Sequence, residues 1–122
     1  MFDCVFAMSG PRTLCGVVRL RDSTPTPSSL SVKVEDVSRA DAAARVVAET
    51  IVRLERPLAA GATVPFSIAI PEVSEGVRYN IRAHIDCNGS GEIRAGDLIS
   101  TQAYPVITQG HADSVVVEVE AI

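Results

Sequence analysis

From Val77 to Asp86 the chain alternates without a break. Val77, Tyr79, Ile81, Ala83 and Ile85 share one parity, and Arg78, Asn80, Arg82 and His84 share the other. Successive side chains of an extended strand point to opposite faces, so a two-residue period marks a strand with one face buried and one in water. A helix of the same sequence would scatter its apolar side chains around the whole cylinder. The period recurs at 30–35, where Leu30, Val32 and Val34 alternate with Ser31, Lys33 and Glu35. It recurs at 63–70, where Val64, Phe66, Ile68 and Ile70 alternate with Pro65, Ser67 and Ala69, and at 114–120 through Val115, Val117 and Val119. Val, Ile and Thr, which favour extended backbone, make up 33 of the 122 residues.

Three further segments complete the set. Residues 14–20 (LCGVVRL) read as a first strand, 98–104 as a sixth, and the β-branched run Val46, Val47, Thr50, Ile51, Val52 as a strand after one helical turn at 38–44 capped by Ser38. Seven strands with turn signals between them and no long helix predict an all-β fold, a seven-stranded antiparallel β-sandwich of immunoglobulin or transthyretin type. Residues 1–13 form an N-terminal segment and 14–122 a single domain, since a chain of this length has no room for two ordinary cores.

Composition excludes several roles. The net charge is −4, with no Trp, three Phe and two Tyr. Nucleic acid needs a basic footprint, and single strands also need stacking rings, so no nucleic-acid partner is expected. No run approaches the roughly 18–20 apolar residues of a membrane span, and the start of the sequence lacks the basic and apolar regions of a secretory signal. Cys4, Cys15 and Cys87 form no CxxC pair; whether any two of them bond stays open. A cytoplasmic protein is the default expectation.

One loop carries candidate chemistry. Residues 86–97 read DCNGSGEIRAGD and set Asp86, Asn88, Ser90, Glu92 and Asp97 at positions 1, 3, 5, 7 and 12 of a calcium loop, with Gly91 at the sharp turn and Ile93 after it. A chain curling around a hard cation sends alternate side chains inward, and the residue at position 7 offers its carbonyl. Asp97 is a shorter closing acid than Glu, so any Ca²⁺ affinity is expected to be weak, on the order of 10⁻⁴–10⁻³ M. The same glycines also suit a plain strand connection, through the turn dipeptides Asn88-Gly89 and Ser90-Gly91.

Other constellations are weaker. His84-x-x-Cys87 lacks two further zinc ligands, and His84 and His111 read as surface residues. Gly89-Ser90-Gly91 is no nucleophile elbow, and no phosphate-binding glycine pattern occurs. Arg78, Arg82 and His84 share one face and offer a modest anion or partner patch. No catalytic set assembles, and no enzyme is expected.

Several segments taken together resemble a known family. Glu35-Asp36-Val37-Ser38-Arg39-Ala40-Asp41-Ala42 followed by Ala44-Arg45-Val46-Val47-Ala48-Glu49, then Pro65-Phe66-Ser67-Ile68, Arg78-Tyr79-Asn80-Ile81-Arg82-Ala83 and Ser100-Thr101-Gln102-Ala103-Tyr104-Pro105-Val106-Ile107-Thr108-Gln109-Gly110 are similar to the YbaY/YscW-like family. Its members are small β-sandwich lipoproteins that include the type III secretion lipoprotein chaperone, or pilotin. The resemblance implies a non-enzymatic binding or chaperone role with a protein partner, and exported relatives. It transfers no set of functional residues. The expectation is a protein-binding module, with an edge strand offering a route to a homodimer. The alternatives are a small hydrolase or metal-dependent enzyme on the same scaffold, or a purely structural domain.

Overall fold

The computed structural model describes residues 9–24, 28–38, 44–87, 89, 91–108, 110 and 113–122. Eight strands follow one another: β1 (Ser9–Leu20), β2 (Ser28–Asp36), β3 (Arg45–Leu54), β4 (Thr63–Ser74), β5 (Tyr79–Asp86), β6 (Leu98–Ile99), β7 (Pro105–Val106) and β8 (Ser114–Ala121). No helix occurs among the described residues, so none there is long and apolar enough to cross a membrane. The helical turn expected at 38–44 falls largely on residues outside the described set. The Ser38 hydroxyl expected to cap it accepts the Arg78 N–H at 2.8 Å.

The all-β expectation holds, but the seven-stranded antiparallel sandwich gives way to one mixed, nearly closed sheet. Its order is β3-β2-β5-β6-β8-β1-β4, with β7 added beside β5. β3 and β4, the two ends of that path, lie close together with no ladder between them, so the sheet curls almost into a barrel. The β1–β8 pair is parallel, matching Cys15–Leu20 to Ser114–Val119. Alternation along a strand fixes which face is buried and says nothing of which neighbour is chosen or in which direction it runs.

Gly16 makes the parallel pair close-fitting. It occupies an inward position between Leu14 and Val18, where a Cβ would run into the Val115 carbonyl oxygen and the Phe66 ring. The inward rows otherwise fill as the alternation requires. Leu14, Val18, Leu30, Val32, Val34, Ile68, Ile70, Ala83, Ile85, Val117 and Val119 are all buried. Val77 and Val115, also expected inside, are only half-buried at the rim of the core.

The strand expected at 98–104 breaks after two residues. The Ser100 hydroxyl accepts the Ala83 N–H at 3.0 Å, and the Ile81 N–H reaches on to the Tyr104 carbonyl, also at 3.0 Å. A side chain thus takes the place of a ladder partner, and residues 101–103 are left to bow out of the sheet. That bow walls one side of a groove on the surface.

Candidate functional site

The outward row of β5 was marked by its alternation, and the pairing with β2 gives it company. Ser31 lies opposite His84, Lys33 opposite Arg82 and Glu35 opposite Asn80. Two adjoining depressions of about 320 and 340 Å³ share Glu35, Arg82, His84 and Ile93. Residues 100–103 wall one side and Gly91–Ile93 the other, so the two form a groove across the face. Its floor is polar, whereas Ile93 at the lip is half exposed, at 52%.

Charges in the groove are arranged in rows. Lys33 and Arg82 face each other across the β2–β5 ladder, an unfavourable placement for like charges. Buried Glu35 relieves it, with a carboxylate oxygen 3.5 Å from Arg82. One row on, His84 stands half-buried, its Nε2 2.8 Å from an Asp97 oxygen. His84 is therefore not the exposed surface residue expected of it. Arg78 stays outside this group at the start of the hairpin, and His111 lies outside the described residues.

Asp97 is fully buried. Its carboxylate accepts the Cys87 N–H at 2.9 Å and the Arg94 N–H at 3.1 Å in addition to the His84 contact. Burial alone would push this carboxyl upward. The His84 bond, the two backbone amides and the attraction of the imidazole outweigh it and hold the group below its usual range. Asp86 plays a matching part at the other end of the loop, accepting the Gly89 N–H at 2.9 Å and the Gly91 N–H at 2.7 Å. Gly89, Gly91 and Gly96 all adopt positive φ, which is why the turns between these anchors are glycine.

The loop expected to gather oxygens around a cation is thus organised the other way round, with two carboxylates gathering backbone N–H groups. Of the five candidate ligands, Asp86 and Asp97 are turned to the loop's own amides. Glu92 is exposed with Arg94 at 3.9 Å, and Asn88 and Ser90 lie outside the described residues. Among the described residues no three of His, Cys, Asp and Glu stand together as a metal group. The His84-x-x-Cys87 pair forms no site either. Burial first, then the charges of Asp97 and Asp86, pushes the Cys87 thiol up, so it keeps its proton. Cys15 and Cys87 are free thiols, and Cys4 lies outside the described residues.

Among the described residues, no hydroxyl completes a nucleophilic relay on the His84–Asp97 pair. Ser31, its neighbour on β2, donates to Glu49 at 3.0 Å, and Ser100 is held by Ala83. The pair escaped the sequence reading because its members are thirteen residues apart. The signal lay in the return of the chain: β6 runs back along β5 with Leu98 opposite Ile85 and Ile99 opposite His84, which sets Asp97 at the end of that ladder.

Residues 10–119 match a family described as type III secretion system lipoprotein chaperone (YscW). No curated protein matches. Among solved structures, an alternative pilotin from the type II secretion system of Vibrio cholerae is similar at a TM-score of 0.71 and 25% identity, over 92% of this chain and 97% of that one. These relatives overturn the cytoplasmic expectation, because the matched family is one of exported lipoproteins. That expectation leaned on the missing regions of a secretory signal and on cysteines that form no CxxC pair.

Proposed function

Because this chain belongs to the YscW family of secretion lipoprotein chaperones, we propose that it is a non-enzymatic chaperone-like module that holds a protein component of a secretion system in the groove over β2 and β5. The observation that carries the reading is the groove itself, with a polar floor of Lys33, Arg82 and His84 beneath an exposed isoleucine lip. Interfaces combine such an apolar anchor with charged groups that set register and exclude wrong partners. A polypeptide segment carrying an acidic residue beside an apolar one meets both features. The brace made by Asp86 and Asp97 keeps Ile93 in place, and we read residues 86–97 as this structural support in preference to a Ca²⁺ site.

Site-specific photo-crosslinking in the source cell tests the reading. A photoreactive residue in place of Ile93 is expected to capture a secretion-system protein, and Arg82→Glu in the same chain to abolish that capture. The same probe in place of Ala69, on the far side of the barrel, is expected to capture none. Equal capture from both positions would displace the groove, and a product containing no secretion component would displace the function.

A further inference from the structure

The two ends of the strand path differ in what they offer a newcomer. β4 carries Pro65 and Pro71, and proline has no N–H to add to a ladder. β3 has neither proline nor glycine and pairs with β2 alone. The only register shift in that ladder lies between Val34 and Glu35, so from Ala48 to Leu54 the strand is regular. On its outward row Ile51, the most exposed large apolar side chain described, at 66%, stands between Glu49 and Arg53. On its inward row Ala48, Thr50 and Val52 are only half-buried, while Val34, Val32 and Leu30 opposite them on β2 are fully buried. Apolar surface, exposed on the outward row and half-buried on the inward one, therefore flanks an edge that no ladder occupies although β4 lies near it, the arrangement that natural sheets usually guard.

We propose that β3 is a homodimer interface, in which Ala48–Leu54 of two copies pair antiparallel about a two-fold axis through Ile51. A two-fold contact must be self-complementary, with each residue meeting its counterpart reciprocally. In this register Ile51 meets Ile51 of the second copy, Glu49 meets Arg53, and Arg53 meets Glu49. On the inner face Thr50 meets Val52. Neighbouring registers fail on charge. Centring on Glu49 opposes Glu49 to itself and Arg45 to Arg53, and centring on Arg53 opposes Arg53 to itself. Centring on Thr50 or Val52 forms no ion pair between Glu49 and Arg53. Arg53 has no ion-pair partner among the described residues, and Glu49 is held on this face by the Ser31 hydroxyl. The axis stands perpendicular to the joined sheets, so the grooves of both copies open on the same side. This inference goes beyond the partner-binding reading and does not depend on it.

Sedimentation velocity on the full chain, from micromolar to about 1 mM, the weak end of the affinity scale, tests the proposal. The wild-type chain is expected to show a concentration-dependent monomer–dimer equilibrium. Glu49→Arg and Arg53→Glu are each expected to weaken it at least tenfold, and Ile51→Lys to abolish it. The double variant E49R/R53E is expected to restore it. So is an equimolar mixture of the two single variants, as a heterodimer, because each then supplies the charge the other lacks. A wild-type chain that stays monomeric at about 1 mM overturns the proposal. So does a dimer indifferent to the charge reversals, or one that the mixture fails to restore.

Discussion

The two halves of the barrel are built on different principles. β1, β4 and β8 meet through close backbone approach. The middles of their outward rows, Thr13, Cys15 and Val17 beside Ser67, Ala69 and Val116, are small and uncharged, and ion pairs flank the parallel ladder, Arg12 to Asp113 at one end and Arg19 and Arg21 to Glu118 at the other. β2, β5 and β6 carry charge on their outward rows, an interrupted strand, and buried acids that tie a loop across the surface. The first half holds its ion pairs at the ends of the parallel ladder, and a shallow depression lies between β1 and β8. The second half has a groove because its ladder is broken and its polar groups are held in place. In the proposed reading the irregular half meets the partner, and the regular half supplies the rigidity behind it.

The largest expected effect falls on the regular half. Gly16→Ala places a methyl against the Val115 carbonyl oxygen, a backbone atom that cannot rotate aside. A loss of about 3 kcal/mol is expected, at the upper end of the usual range for overpacking, measured by urea unfolding. The surviving folded fraction should keep its groove chemistry unchanged. An unchanged midpoint would mean that the close β1–β8 contact does not exist as described.

Asp97→Asn strikes the irregular half. The amide cannot accept from Cys87 N–H, Arg94 N–H and His84 together, and its NH₂ group meets a donor. A loss of about 2 kcal/mol is expected, together with faster amide exchange at Cys87 and Arg94, while the β1–β4 ladder stays protected. Equal loosening of both halves would argue that they unfold as one unit and that the contrast between them is only one of surface.

Acid should separate the halves further. The Asp97 carboxyl lies below its ordinary value of 3.8 in the folded chain. Its contribution is therefore complete above the unfolded value and is lost as pH falls through the lower, folded one. The wild-type chain should hold its full advantage over Asp97→Asn above roughly pH 5 and lose it progressively in stronger acid, with the two unfolding curves converging. A difference that persisted unchanged into strong acid would place the effect of the substitution in packing and not in the ionised carboxylate.

The contrast between halves also explains what the sequence disclosed. The regular rows were legible because burial is written in parity: Leu30, Val32 and Val34, or Ile68 and Ile70, need no knowledge of their neighbours. Pro65, with no N–H for a ladder, sits on β4 at one end of the strand path. The parallel match of Cys15 to Ser114 was not legible, since direction and partner are set by how the whole chain closes, and Gly16 hints at a close approach without naming what approaches. The break at Ser100 was hidden because a hydroxyl substituting for a ladder carbonyl leaves no periodic trace. The acids of the Gly-rich loop were legible as a set, but their bonds to the loop's own amides were not. Alternate oxygens at 86, 88, 90 and 97 fit a cation loop, yet a buried Asp at each end of a glycine-rich turn equally suits backbone N–H donors, and spacing does not distinguish the two.

The smallest expected effect decides between those uses of the same residues. Both Asp86 and Asp97 are bonded to loop amides, so a cation entering between them would have to displace those N–H donors. Calcium should therefore leave the melting temperature unchanged between EDTA and several millimolar metal. A site filled at ten times its dissociation constant would instead stabilise the fold by about 1.4 kcal/mol, a rise of a few degrees for a chain of this size. Such a rise, lost in Asp86→Asn, would show that the loop exchanges its amides for metal and that the irregular half is held by a ligand and not by its own acids.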